Sequence, residues 1–534
     1  MRRYTSLIAI VAGVWLGLLA LHAPFLKLPC YWDEAGYYVP AALDFLRHGL
    51  LIPSSTEPIG HTPLVSVYLG LAWRIFGFSP LVTRAAMILF AAGTIVATVG
   101  LARRAFAERA QAPEAALAAG VLLALAPLFF AQSEMVHLDL VVAFFTLLAV
   151  VALLDERWIL FAAAGSLAVL TKETAIVLVP AAWVYLGIER HRERRSFPPF
   201  AWLATASPGL PLAAWALYYH HHTGFWTGNA SYLEYNLYST LNPIRVVLSF
   251  LRRFYEVFLS GFNWLLVVLA IAGWRWRPLA QINPQLTQIA QTPPGQRDAR
   301  RETGSDGSGH RLVLVTTLLA AGYLLMLSAV GGAVLPRYML PIYPPLIVLA
   351  VGWIWRLPRT LARAGCLAAA ACFVLAWFSN PPYPFPYEDN LAFADFIKLH
   401  QEAAEYLEHT PASQNDTPEE RPLRILTAWP ATNELETPDL GYVTRPLRVV
   451  PVDGFTAADF QGVEPSSFDV LYLYSRKWEP QGNWVDRFPW LIRLQSRYFE
   501  YSPQVPEQEI AARFHLKLSA RWDRRGQWVA IYAH

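Results

Sequence analysis

The sequence predicts an α-helical polytopic membrane protein with about eleven spans over residues 1–378, followed by a small α/β domain over 379–534. Three observations carry that prediction. Hydrophobic residues make up 55% of the 534 and charged residues only 16%, against the roughly 25% charge of a soluble domain. The missing charge is missing from residues 1–378, where apolar runs of membrane-crossing length recur, while the rest reads as ordinary soluble sequence. Arginines, finally, gather in alternate loops. This composition excludes a purely soluble enzyme, a disordered chain and a disulfide scaffold, since Cys30, Cys366 and Cys372 cannot build a framework. A formal charge of +3, with no basic block interleaved with aromatics, leaves no nucleic-acid partner.

A span needs about 20 apolar residues. The candidates are 5–24, 82–101, 114–131, 140–154, 158–171, 174–188, 199–218, 254–274, 312–330, 338–355 and 361–378. The first follows Met1-Arg2-Arg3 and has no clear small-x-small cleavage site, so it reads as an uncleaved span rather than a signal peptide. With the N-terminus inside, 19 arginines fall in inner segments against about nine Arg and Lys in outer ones, as the positive-inside rule requires. Residues 63–78 are also apolar, but a span there would put the Arg103–Arg109 cluster outside; they read as an interfacial or re-entrant helix. Segments 25–81 and 219–253 become outer loops, and the Gln/Pro/Gly/Ser/Arg-rich stretch 277–311 an inner linker. After an odd number of spans the C-terminal domain is expected on the extracytoplasmic side, and arginine-heavy usage favours a bacterial inner membrane.

That domain begins with a Pro/aromatic hinge, NPPYPFPY. An amphipathic helix is expected over 388–409, with strands at 423–428, 446–452, 468–475, 514–520 and 527–533. It carries Trp478, Trp484 and Trp490 but no motif that announces chemistry.

A charge near the bilayer centre costs about 3 kcal/mol on insertion scales, and the usual compensation is a functional cavity. Asp33, Glu34, His61, Arg84, Glu134, His137, Asp139, Lys172, Glu173 and Arg337 all fall at outer span ends or in outer loops, so acids and bases converge on one face. Asp33 and Glu34 open an amphipathic stretch (DEAGYYVPAALDFLRHG) and can cap it; an acid held there also stays ionised and can take a proton from a hydroxyl. Glu134 and Asp139 bracket a turn (QSEMVHLDL), where Asp139 is either an N-cap or the second acid of a paired-acid or metal site. Lys172 is one of only five lysines. It either snorkels or pairs with Glu173, or it presents a compact cation to a phosphate at membrane depth. Arg337-Tyr338 opens a span loosened by prolines 336, 341, 344 and 345. Arg84 and Arg337 are either interfacial anchors or, with Lys172, a cationic pocket for a phosphate headgroup. His220, His221 and His222 with Glu234 share no helix face and supply no i to i+4 pair, so they read as loop residues and no metal ligand is assigned.

The order of these pieces resembles the GT-C superfamily of membrane glycosyltransferases. The likeness is to the group of family 39 protein O-mannosyltransferases, lipid A aminoarabinose transferases and RgtA/B/C/D-like bacterial enzymes. It rests on Asp33-Glu34 after the first span, His61-Thr62-Pro63-Leu64, Arg84, Asp139 with Phe144-Phe145, Leu170-Thr171-Lys172 and Arg337-Tyr338-Met339-Leu340-Pro341. The resemblance implies transfer of a sugar from a polyprenyl-phosphate carrier to a lipid, glycan or protein acceptor at the outer face. Asp33 would then be general base; Glu34 and Asp139 would orient acceptor or sugar; and Lys172 and Arg337 would stabilise the departing phosphate. His61, Arg84, Glu134 and Tyr338 would complete substrate binding. No nucleotide loop is expected and no cofactor is assigned, with a divalent metal left open. The rival classes are a secondary transporter or a lipid-linked sugar flippase, for which charges near the midplane and inverted repeats would speak. Neither is visible.

Overall fold

A computed structural model of the chain describes residues 2–57, 60–107, 111–192, 194–276, 307–381, 384–410, 423–478, 487–499 and 503–534. Most of the 277–311 linker and Trp484 lie outside the described residues.

The first part is a helical bundle. In chain order it comprises α1 (Arg2–Leu21), a π-helical turn (Glu34–Tyr38), α2 (Val39–His48), α3 (Leu64–Phe76), α4 (Pro80–Ala105), α5 (Ala112–Leu125), α6 (Pro127–Gln132), α7 (Leu138–Leu154) and α8 (Trp158–Thr171). It continues with α9 (Leu178–Arg192), α10 (Pro199–Ala206), α11 (Gly209–Thr223), the short α12 (Ala230–Leu233), α13 (Pro243–Phe258), α14 (Asn263–Arg275), α15 (Gly307–Ala329), α16 (Tyr343–Ile354) and α17 (Arg359–Phe378).

Every span candidate is largely helical, but the expected eleven spans are not eleven long rods. Among the described residues five helices are long and apolar enough to cross a membrane: Pro80–Ala105, Pro199–Thr223, Gly309–Ala329, Pro336–Ile354 and Arg359–Phe378. A sixth is gained if α13 and the Ser260–Arg275 helix, bent by 45°, count as one. Thr5–Leu21, α5, α7 and α8 are shorter apolar helices. The breaks have local causes. Pro127 separates α5 from α6, Lys172 is extended (φ −153°) between α8 and the 3-10 turn Glu173–Val177, and Gly261 is left-handed (φ +58°) before α14. Pro341 lies in a 3-10 segment, Pro336–Ile342, that precedes α16. Broken helices are tolerated at membrane depth where the freed backbone faces protein or a cavity. α3, at 13 residues, is too short to cross the core, as an interfacial or re-entrant helix would be.

Small residues let the helices close. A Cβ on Gly120 of α5 would stand 2.5 Å from the Val99 side chain on α4, and Gly273 of α14 packs on the Trp353 carbonyl with no room for one. Leu140, Val142, Ala143, Leu147 and Val150 of α7 lie fully inside.

The C-terminal part carries α18 (Ala392–His409) and strands β1 (Arg424–Ala428), β2 (Arg448–Val452), β3 (Val470–Tyr474), β4 (Lys517–Arg524) and β5 (Gln527–Ala533), each overlapping its expected segment. The sheet order is β2-β1-β3-β5-β4. β1 runs parallel to β2 and β3, whereas β5 is antiparallel to β3 and β4. RILTA and VLYLY are buried throughout, as central strands covered on both faces must be. Their core does not stop at the sheet. Ile397, Leu426, Tyr472 and Tyr474 belong to one hydrophobic cluster with Leu28, Tyr31, Ala35 and Val39 from the segment after α1, and with Met135 and Val136 from the α6–α7 turn.

Candidate active site

Antiparallel helices bring alternate termini to the same end of a bundle. Asp33 and Glu34 follow α1, Arg84 lies in the first turns of α4, and Asp139 in the first turn of α7. Lys172 ends α8, and Arg337 begins the 3-10 segment leading into α16. All therefore meet, and they sort into two webs.

The first web is closed. Glu34 is fully buried and takes the Arg84 guanidinium fork on both oxygens, with Arg84 Nη2 2.9 Å from Oε2. The same carboxylate accepts from the backbone N–H of Tyr31 (2.6 Å) and of Val136 (2.5 Å). Arg84 also donates to the carbonyls of Pro29 (2.9 Å) and Glu134 (3.2 Å). Four donors occupy the lone pairs of one carboxylate, so nothing is left over for a substrate. Arg84 is thus paired with Glu34, while Lys172 is paired with Asp139, so the two cations expected around one phosphate sit in different webs. Glu134 lies beside them with both carboxyl oxygens buried and without a hydrogen-bond partner among the described residues. Burial pushes its carboxyl up to about 8, against the pull of Arg84.

The second web centres on Arg337. Its Nη2 donates to Asp33 Oδ2, its Nη1 to Glu388 Oε2 at 3.1 Å, and its Nε lies 3.4 Å from Asp139 Oδ2. Nη1 also lies 2.8 Å from His137 Nε2, while His137 Nδ1 is 2.7 Å from Gln132 Oε1. The partners assign the tautomer: Nδ1–H donates to Gln132 and Nε2 accepts from Arg337. Burial and the Arg337 charge hold that ring well below the usual histidine range, hence neutral. Lys172 Nζ donates to Asp139 Oδ1 at 2.6 Å and sits 3.9 Å over the Tyr338 ring. Asp139 thus bridges two cations rather than pairing with Asp33 as a second acid. Arg337 and Asp139 side chains are each 2% exposed and Lys172 6%, whereas Asp33 is 17% exposed. Among these four, water reaches chiefly Asp33.

Residues 60–219 match the family model described as dolichyl-phosphate-mannose-protein mannosyltransferase. Over 99% of this chain and 98% of the other, the structure resembles that of ArnT from Cupriavidus metallidurans in the apo state, at 16% identity and a TM-score of 0.51. The chain shares the ArnT fold over its whole length, and a stretch of its membrane part is similar to the mannosyltransferase family. ArnT bound to undecaprenyl phosphate gives a TM-score of 0.49 at 15% identity, over 99% of this chain and 97% of that one. The oligosaccharyltransferase AglB from Archaeoglobus fulgidus gives 0.44 at 13%, over 87% and 69%. Comparison with curated protein sequences finds no match.

A cavity is lined by Tyr37, Tyr38, His61, Thr62, Trp215 and Tyr219 among others, so its wall includes residues of the turn that follows Asp33. His61 Nδ1 is 2.9 Å from Glu173 Oε2, and Thr62 donates to the Val169 carbonyl at 3.0 Å. Both contacts tie the segment before α3 to the end of α8. Among the described residues no group of three or more His, Cys, Asp and Glu is arranged to hold a metal.

Sequence reasoning assigned no role to two members of the Arg337 web. His137 was grouped with the converging charges, and its neutral, accepting state follows only from its partners. Glu388 was missed altogether, because the C-terminal segment showed no motif. The one signal it offered was the acid pair Glu388-Asp389 closing the Pro/aromatic hinge directly after the last span. Burial, and crowding by Asp33 and Asp139, push Glu388 up to about 7 despite Arg337.

Proposed function

We propose that the chain transfers a sugar from a polyprenyl-phosphate carrier to a hydroxyl of a lipid, glycan or protein acceptor at the outer face of a bacterial cytoplasmic membrane. Residues 1–378 form the catalytic membrane domain and 379–534 an extracytoplasmic domain. One observation carries the reading: two buried cations, Lys172 and Arg337, bridged by Asp139, stand beside the more exposed acid Asp33. A lipid phosphate arriving at this end of the bundle meets a fixed positive field in a low-dielectric setting, where such charges act most strongly. Asp33 accepts the acceptor hydroxyl proton as that oxygen bonds to the sugar's anomeric carbon. The bond from that carbon to the carrier phosphate breaks, and its electron pair leaves with the phosphate. Lys172 and Arg337 hold the charge that develops there, with the phosphate competing with Asp33 for Arg337. Asp139 positions both cations. Glu34 and Arg84 act at one remove, by fixing the segment that carries Asp33, and His61 orders the rim of the sugar cavity. The outward orientation rests on arginine placement, and the donor class on the two cations and on the description of the matching family.

The test is transfer by purified protein in lipid nanodiscs supplied with a radiolabelled polyprenyl-phosphate sugar and candidate acceptors. Release of polyprenyl phosphate coupled to a labelled product, absent in Asp33→Asn, supports the reading. Movement of intact lipid-linked sugar across a bilayer without cleavage would support a flippase instead.

A further inference from the structure

The C-terminal domain reaches the candidate site a second time, against the residues that flank Asp33. Trp429, which follows β1, packs its indole directly on the backbone of Gly36, where a Cβ would collide with the ring. Its ring centroid lies 5.2 Å from that of Trp32, edge to face, and 5.5 Å from that of Tyr37. Trp32 immediately precedes Asp33 and is held at φ +45°, a left-handed conformation that a bulky side chain rarely adopts and that concentrates at functional sites. Tyr37 also lines the cavity that His61 and Trp215 border. The three rings are each only half-buried. They form a continuous aromatic lip running from the cavity, past Asp33, to the C-terminal domain.

A cation completes the lip. The Arg476 guanidinium, just after β3, lies 5.7 Å from the Trp32 ring centroid, and Nη1 donates to the Asp453 carbonyl at 3.3 Å. It makes no ion pair among the described residues. The nearby Asp459 carboxylate is taken up by the N–H and hydroxyl of Thr456, both at 2.7 Å.

From this juxtaposition we infer that Trp32, Tyr37, Trp429 and Arg476 form the acceptor subsite, and that it takes a carbohydrate carrying a negative charge. The apolar C–H face of a pyranose packs on aromatic rings, which supply large rigid contact area at little entropic cost. A carboxylate or similar anion on that sugar meets Arg476, and a hydroxyl of the seated sugar is presented to Asp33. The inference rests on the transferase reading above and adds what the acceptor is. It also gives the C-terminal domain a part in recognition. Two of the four side chains are its own, so exchanging that domain between relatives would change acceptor choice while leaving donor use alone.

Full-length protein in lipid nanodiscs is titrated with a glucuronic-acid-containing disaccharide, its neutral glucose counterpart and inorganic phosphate, and separately with undecaprenyl phosphate. The charged disaccharide should bind about tenfold tighter than the neutral one, a single charged contact's worth. Arg476→Ala should abolish that preference, and Trp429→Ala should weaken both disaccharides about tenfold with Trp429→Phe restoring most of the loss. None of these variants should alter undecaprenyl-phosphate binding. Equal binding of the two disaccharides, wild-type affinity in both Trp429→Ala and Arg476→Ala, or inorganic phosphate binding as tightly as the charged disaccharide would overturn the inference. The donor reading fails separately, if Lys172→Ala binds undecaprenyl phosphate as wild type does, and the lip assay still stands in that case.

Discussion

The two ends of the helical bundle are both charged, and they differ in everything else. At one end Arg359 and Arg363 share Glu114, Arg104 meets Asp155 at 3.3 Å, and Arg195 meets Glu156 at 2.6 Å. The Arg359 and Arg363 side chains are 52% and 53% exposed. At the other end Arg84, Arg337, Lys172, Glu34 and Asp139 are all buried. Exposed pairs in water are worth little, whereas buried charges must be compensated atom by atom. The exposed arginine-rich end therefore adds little to stability, whereas the buried end calls for a structural or a ligand-binding reason. The Glu34–Arg84 web is saturated, while the Arg337 web has three carboxylates contending for one guanidinium and its most exposed member at Asp33.

That contrast can be broken at several points. The largest effect is expected at that exposed acid: Asp33→Asn should cut kcat by about 10²- to 10⁴-fold with donor binding intact, as for loss of a general base. Turnover near the wild-type value would remove Asp33 from the chemistry. In the saturated web Glu34→Gln should act on folding, costing about 3–5 kcal/mol as for one partner lost from a buried pair. It would be read as early thermal unfolding, and a stable but inactive Glu34→Gln would move this residue into the reacting site. Lys172→Ala should weaken polyprenyl-phosphate binding by about 10- to 100-fold, the worth of one hydrogen bond to a charged group.

A smaller effect depends on pH. Folded Glu134 keeps its proton up to about pH 8, against an ordinary value of 4.5. Between those values the folded state binds more protons than the unfolded chain, so its contribution to stability is full below about pH 4.5 and is lost as pH rises towards 8. Glu134→Gln should flatten that decline in a Tm series, and an unchanged slope would mean that Glu134 is not the group responsible. Glu388 adds the same sign over the narrower window ending at about 7. The smallest effect is expected at the opposite end, where Glu114→Ala should leave both Tm and transfer unchanged. A loss of transfer there would show that the two ends are coupled.

Much of this was legible in one dimension. Apolar run length marked the helices, and their alternating direction placed Asp33, Arg84, Asp139, Lys172 and Arg337 on one face, because parity alone decides which end of a bundle a residue occupies. Continuous apolar runs such as VLYLY marked the buried strands within a residue or two. The misjudged span lengths trace to Pro127, Lys172, Gly261 and Pro341, whose breaks hydropathy averages over.

Pairing was not legible. Asp33 and Glu34 are neighbours in sequence with the same chemistry, yet one is the most exposed member of its web and the other is closed off by four donors. That division depends on which backbone N–H groups and guanidinium surround each carboxylate, and three of the four donors to Glu34 come from segments about 50 and 100 residues away. Glu388 likewise reaches Arg337 only because the C-terminal domain shares a core with the segment after α1. By itself the sequence determined the solvent, the helix ends and the set of charges, through periodicity and composition. Only the tertiary structure decided which charges neutralise each other and which remain for a substrate, because ion pairing depends on distance and burial that no local pattern encodes.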